Sequence, residues 1–423
     1  MTILTVVLAA VISLAPSLLP RASFVQGAVT GVTIVVALLT VRLVVAVLRR
    51  SGRAPRSGPA ELRLPEAFVG AAVVLLAAAG AHRWQNRLRE AMSLPALDAR
   101  YWLEASAVAA LVAAALLAVP HLVRVLARRR RTAAVGVAVL AISAATVSAS
   151  PGGSIDTVSS PTTLSAGLSG SADSAVSWDE LGREGQRFVS LPAHNSPIRV
   201  YVPLSAAPDP SARAALAVDE LRRAGAFGRA HLVVAVPTGS GWVDAAAVRG
   251  FEDQWGDDVA LVAQQYADLP SWAAFLLDRA AASEEGRALV AALRAHLSTL
   301  PEERRPDLHV YGQSLGALGA GAAFTDTEPG PCELFLTGPP AGVRTAGASV
   351  LANASDPVVW WQPSLLWSPP DLSHTRTDAP APPWLPVVTF AHTTVDLLTS
   401  LVAPTGHGHR YGDDQTQCSA QSG

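Results

Sequence analysis

The chain contains no lysine; all 32 of its basic residues are arginines. That uniform choice reads as compositional bias and assigns no function. Cysteine is nearly absent too, with only Cys332 and Cys418 in 423 residues. Without a Cys/His cluster or a His-Glu-x-x-His run, no zinc site is expected. Charged residues make up only 16% of the chain, against a hydrophobic share of 50%. No internal repeat is visible, so a solenoid or propeller is not expected.

The apolar excess is concentrated at the front. Residues 1–150 carry roughly 16 Arg against roughly 5 acids, and the remainder roughly 16 Arg against roughly 29 acids. A basic front raises the possibility of nucleic acid. Its arginines, however, punctuate apolar runs too long for a nucleic-acid arm, so no nucleic-acid partner is expected. Five apolar stretches stand out at 2–20, 24–48, 66–82, 101–126 and 132–150. Each approaches the ~20 residues that a bilayer-spanning helix requires. Arginines crowd the loop between the second and third stretches and that between the fourth and fifth. Arginine is retained on the cytoplasmic side. The N-terminus is therefore expected inside and everything after Ser150 outside. The first stretch lacks a basic leader, so it reads as a span in preference to a cleaved signal peptide. The organisation expected is a helical membrane domain at 1–150, a Ser/Gly/Thr-rich flexible linker at 151–176 and a catalytic domain at 177–423.

In the last of these, short apolar strands alternate with amphipathic helices. Strands are expected at 198–204, 231–237, 259–267, 307–312, 332–338 and 348–356. Helices are expected at 211–228, at 271–300 with a break near Gly286, and from Ser314 to about Phe324. This alternation predicts an α/β domain with a mostly parallel sheet covered by helices on both faces.

"YGQSLGALG" (311–319) carries the chemistry. Gly312, Ser314 and Gly316 spell G-x-S-x-G at the junction of a buried strand and a small-residue helix. A nucleophile elbow needs that junction, because the serine sits on a strained turn that flanking glycines allow neighbouring backbone to approach. A serine hydroxyl needs a base, and the base needs an orienting acid. Asp356 follows an apolar strand and precedes a proline, which places it at a loop start. Asp371, Asp378 and Asp396 are its rivals. His409 and His407 lie on a late Gly-rich loop. His409 is favoured, with His407 the alternative; His374 and His392 are less well placed. The oxyanion hole is expected from the backbone amides of Leu315 and of Thr238 and Gly239 in "PTGSGW" (237–242). Trp360, Trp361 and Trp367 are candidates for an apolar cap over substrate. Cys332 and Cys418 are expected to pair outside the cytoplasm; the alternative is a buried free Cys332 and a mobile tail. Neither a cofactor nor a metal is implied.

The chain resembles the bacterial membrane-anchored α/β-hydrolase family, with a multi-span N-terminal region and a C-terminal hydrolase domain. The resemblance rests on "PTGSGWVD" (237–244), "QQYADLPSWAAFLLD" (264–278), "YGQSLGALG" (311–319), "GPP" (338–340), "NASDPVVWW" (353–361), "WLPVVTF" (384–390) and "GHGHRYG" (406–412). It implies an α/β-hydrolase fold and a serine–acid–histidine set at Ser314, Asp356 and one of His407 or His409. Where the family often has Glu before the serine, this chain has Gln313. The expected function is a membrane-anchored serine hydrolase of the esterase or lipase type. Its expected partners are the bilayer and an apolar acyl ester. Acyl transfer with the same residues and a non-catalytic scaffold are the alternatives.

Overall fold

In the computed structural model, the described residues are 2–52, 63–128, 164–193, 196–269, 274, 279–324, 328–330 and 332–418. The chain divides into two compact units, Met1–Thr157 and Val158–Gly423.

The first unit contains helices α1 (Thr2–Ser13), α2 (Ser23–Arg50), α3 (Arg63–Ala91) and α4 (Ala99–Arg128). Three stretches, Ser23–Arg50, Pro65–Ala91 and Ala99–Val119, are long and apolar enough to cross a membrane. The stretch expected as a first span behaves differently. Its helix has 12 residues, about 18 Å of rise against the ~30 Å of a hydrocarbon core. The chain then turns through Pro16 and Pro20. The expected span at 132–150 lies outside the described residues.

Small residues bring α2 and α4 into close contact. A Cβ on Gly27 would lie 2.5 Å from the Ala105 carbonyl, and one on Gly31 would lie 2.7 Å from that of Ala109. Four-residue spacing of small side chains is the usual device for close helix approach in apolar surroundings. Polar groups in the turn after α1 are internally satisfied. The Gln85 side chain accepts from the Arg21 amide at 2.9 Å and donates to Ser17 Oγ at 2.9 Å.

The described residues of the second unit form a six-stranded sheet of β1 (Ile198–Val202), β2 (His231–Val236), β3 (Val259–Gln264), β4 (Asp307–Gln313), β5 (Leu334–Thr337) and β6 (Ser349–Leu351). The strand order is β1-β3-β2-β4-β5-β6, and every pairing is parallel. Side-chain alternation sorts the apolar residues into two layers. Val200, Leu232, Val234, Val262, Val310 and Leu336 face the layer of helices Pro210–Arg223, Arg279–Ser298 and Leu315–Ala322. Tyr201, Val233, Leu261, Tyr311 and Phe335 face the layer of helices Gly182–Val189 and Ala245–Trp255. The expected parallel sheet with helices on both faces is therefore observed.

Two local expectations need correction. The helix Arg279–Ser298 runs unbroken through Gly286, because that glycine is a packing position. A Cβ there would lie 2.3 Å from the Gly319 carbonyl of the helix behind Ser314. Residues 164–176, expected within a flexible linker, are instead packed against β1. Leu168 bridges Arg199 in parallel, and Ser169 is fully buried. Glu220 accepts from the Ser174 hydroxyl and the Ala175 amide, both at 2.8 Å. Low apolar content hid a segment held by hydrogen bonds.

Candidate active site

The site lies at the C-terminal ends of the strands, where open parallel sheets place ligands. Strand β4 ends at Gln313, and the helix Leu315–Ala322 begins two residues later. Ser314 occupies the turn with φ 56° and ψ −125°, a region that non-glycine residues enter at a cost. The elbow closes tightly: a Cβ on Gly316 would lie 2.2 Å from the Val236 carbonyl at the end of β2. No side chain fits there. Leu315, the first helical residue, is fully buried, and its amide belongs to the helix end whose donors lack intrahelical partners.

Asp356 sits five residues beyond β6 and is fully buried. Its Oδ1 accepts from the Val358 amide at 2.8 Å and so caps the short helix Pro357–Trp360. Its Oδ2 accepts from His409 Nδ1 at 2.7 Å and from the Tyr411 hydroxyl at 2.7 Å. A carboxylate only accepts, so the His409 proton lies on Nδ1 and leaves Nε2 as the acceptor nitrogen. Gly338, at φ 50°, allows this approach, since a Cβ there would lie 2.7 Å from Asp356 Oδ2. The Gln313 carboxamide donates to the His409 carbonyl at 3.3 Å, which joins the histidine loop to the residue before Ser314.

His407 is elsewhere. Its Nδ1 lies 3.2 Å from Asp378 Oδ2, so the two histidines have separate carboxylate partners. Asp378 also accepts from the Ser355 amide and hydroxyl, and Ser355 Oγ accepts from the Gly408 amide at 2.8 Å. Asn353 donates to the Gly408 carbonyl at 2.8 Å and accepts from Arg376 Nε at 2.6 Å. Residues 376–378 thus fasten the acid turn to the histidine loop. Of the other rivals, Asp371 is solvent-exposed and its carboxyl is held low by the Ser373 amide and hydroxyl. Asp396 is buried within the helix Val388–Leu397.

The loop 237–242 after β2 is a tight turn. The Thr238 amide donates to the Trp242 carbonyl at 2.9 Å, so that donor is already committed. Gly239 is the buried residue beside it. The three tryptophans also separate. Trp360 is 1% exposed and donates to the Ala354 carbonyl at 2.8 Å, which corrects its expected place on a cap to one in the core. Trp361 packs against Phe390 with ring centroids 5.6 Å apart, and Trp367 stands in solvent.

Asp244 and Tyr411 received no role from sequence, although both lie inside quoted motifs. Burial pushes the Asp244 carboxyl up, while the Ala246 amide, the Gln415 side chain and the Arg249 and His409 charges pull it back. Burial, then the charge and hydrogen bond of Asp356, push the Tyr411 hydroxyl well above the usual tyrosine range. It stays a neutral donor to the acid. Cys332 and Cys418 are joined as a disulfide, closing a sequence span of 86 residues that contains both Asp356 and His409.

A parallel sheet with a strained serine between strand and helix, and a late histidine bonded to an acid after a following strand, defines an α/β-hydrolase domain. Residues 198–349 and 341–421 match the Alpha/beta-hydrolase family, and residues 14–152 match the N-terminal region of that family. The chain belongs to this Alpha/beta-hydrolase family. No curated protein matches it, and neither does any solved structure.

Proposed function

We propose that this protein is a membrane-anchored serine hydrolase of the esterase or lipase type that acts on an apolar, lipidic acyl ester through an acyl-enzyme. The observation that carries the reading is the buried 2.7 Å bond between His409 and Asp356, whose histidine loop is tied by Gln313 to the strained turn of Ser314. Ser314 is the nucleophile: its Oγ attacks the ester carbonyl and its proton passes to His409 Nε2. Asp356 holds the imidazole in the tautomer that makes Nε2 basic and stabilises the imidazolium. The amides of Leu315 and Gly239 receive the developing oxyanion. The alcohol leaves with the proton from His409, and water, activated by the same imidazole, then releases the acid. Trp361 and the helix packed on it form the apolar wall of the acyl site.

The hydrolase unit lies outside the cytoplasm. The disulfide supports this placement, because such bonds persist in oxidising compartments, and the arginine-rich loops support it from sequence. The test is covalent labelling of the full chain in nanodiscs by a fluorophosphonate. Labelling is expected in the wild type and absent in Ser314→Ala at an unchanged melting temperature. Equal labelling of the two proteins would refute the assignment.

A further inference from the structure

Among the described residues of the hydrolase unit, the large apolar side chains left in solvent are not scattered. Leu269 is 39% exposed, and all the others fall between positions 367 and 402: Trp367, Leu385, Val387, Leu398, Leu401 and Val402. Val387, Leu401 and Val402 are 60%, 58% and 64% exposed. Exposed apolar side chains gathered in one segment of the chain in this way point to an interaction site.

The backbone holds this face out under strain. Val387 has φ 64° at the start of the helix Val388–Leu397. A β-branched residue in the left-handed region is a genuine outlier, and this one presents its side chain to water. Its amide donates to the Leu366 carbonyl at 3.1 Å, which joins the segment to that of Trp367. On its inner side the helix is packed through Leu397 and Trp361 onto the apolar cluster that contains Leu315. The helix is thus joined to the cluster that holds the residue after Ser314.

Charge is missing here as well. From Ala379 to Ala403 there is no Arg, Lys or Glu. The single Asp in that run, Asp396, is 1% exposed, and the single His, His392, is 4% exposed. A protein partner is ordinarily held in register by complementary charges, and residues 379–403 expose none. A charge-free apolar segment with an exposed tryptophan close by in sequence suits the boundary between headgroups and acyl chains. Among the described residues of the same chain are three helices of bilayer-crossing length and composition, which keep a leaflet at high effective concentration.

We propose that the face formed by Trp367, Leu385, Val387, Leu398, Leu401 and Val402 is a docking surface for the bilayer, inserting into a leaflet beside the Ser314 turn. The proposal extends the hydrolase reading by naming the phase from which an apolar ester is drawn. Its test requires no turnover. Both native cysteines are bridged, so a cysteine introduced at an exposed position is labelled selectively. Val402→Cys, Leu398→Cys and a control, Glu303→Cys in the turn before β4 at the opposite end of the sheet, each take an environment-sensitive fluorophore. The full chain is then reconstituted in phosphatidylcholine vesicles with or without doxyl-labelled lipid. At positions 402 and 398 blue-shifted emission and at least threefold stronger doxyl quenching than at 303 are expected. Quenching at 402 and 398 no greater than at 303 overturns the proposal. So does a blue shift without doxyl quenching, the signature of a second protein copy on this face.

Discussion

Replacing Asp356 by Asn tests the proposed base most sharply, because the two side chains have the same shape and differ in what they accept. The Asp356 carboxylate has three donors: the Val358 amide on Oδ1, and His409 Nδ1 and the Tyr411 hydroxyl on Oδ2. An Asn that keeps its oxygen toward Val358 points an NH2 at two donors. His409 must then shift its proton to Nε2, where it can no longer accept the serine proton. The opposite flip satisfies His409 but turns the NH2 toward the Val358 amide. The first arrangement costs about 10⁴ in kcat, or ~5.5 kcal/mol of transition-state stabilisation. The orphaned Tyr411 hydroxyl costs a further ~1–3 kcal/mol of stability. The assay is hydrolysis of a short soluble ester by the full chain in nanodiscs, with thermal unfolding measured alongside. A folded Asp356→Asn protein retaining more than a tenth of the wild-type kcat would refute the orienting role.

The histidines should separate cleanly. His409→Ala should lower kcat by on the order of 10⁴–10⁶. His407→Ala, which leaves Asp378 its bonds to Ser355, should lower it less than tenfold; steady-state kinetics giving the reverse order would move the base to His407. Gly316→Ala forces a Cβ to within 2.2 Å of the Val236 carbonyl, and an overpacked site that backbone cannot relieve costs about 3 kcal/mol. Calorimetry should register a drop of ~6–12 °C in Tm, and an unchanged Tm would mean the elbow is looser than described. Reduction of the Cys332–Cys418 bridge should remove up to ~4–5 kcal/mol, seen as a lower melting temperature in reductant. Burial raises the Tyr201, Tyr311 and Tyr411 hydroxyls, so above pH ~10 only the unfolded chain releases these protons. Stability is then complete below pH ~10 and falls as pH rises, by up to ~4 kcal/mol per pH unit for the three together. Denaturant midpoints between pH 9 and 11 measure this slope, and Tyr411→Phe should reduce it by about a third.

Which parts were legible follows from the range of the interactions involved. Strands such as 231–236 and 259–264 announce themselves because each is buried on both faces, so an apolar run is all the pattern they need. The Ser314 turn was legible because its constraint is local: backbone approach forces glycine at fixed offsets. Asp356 and His409 were legible only as candidates, since 53 residues separate them and nothing local distinguishes His409 from His407. The parts played by Tyr411 and by Asp378, named only as a rival acid, were not legible, because a tyrosine or aspartate in a polar loop has no period and no fixed neighbour. The packing of 164–176 was missed for a related reason. Its burial depends on Glu220 in a distant helix, and a Ser/Gly-rich composition reads as linker whether or not such an acceptor awaits it. The 12-residue helix at the start was missed because hydropathy counts Pro16 and Pro20 within an apolar run without registering that they end it.

The proposed acid and base, Asp356 and His409, arrive from different loops, so their 2.7 Å contact needs both loops to be fixed to something other than each other. Residues 376–378 supply that. Arg376 exchanges backbone bonds with Ala352 and Ala354, and its guanidinium reaches Asn353, Gly406 and Asp414. Asp378 reaches Ser355, the neighbour of the acid, and His407, two residues before the base. The residues flanking Asp356 and those flanking His409 are thus held by one short strap, and the disulfide fastens the chain beyond His409 to the start of β5. A site arranged in this way should lose rate without losing its proposed acid or base. Asp378→Asn retains the shape but weakens the acceptor toward Ser355 and His407. It should lower kcat while leaving KM within twofold, since the strap touches no apolar wall of the proposed acyl site. A KM effect larger than the kcat effect would place these residues against substrate instead.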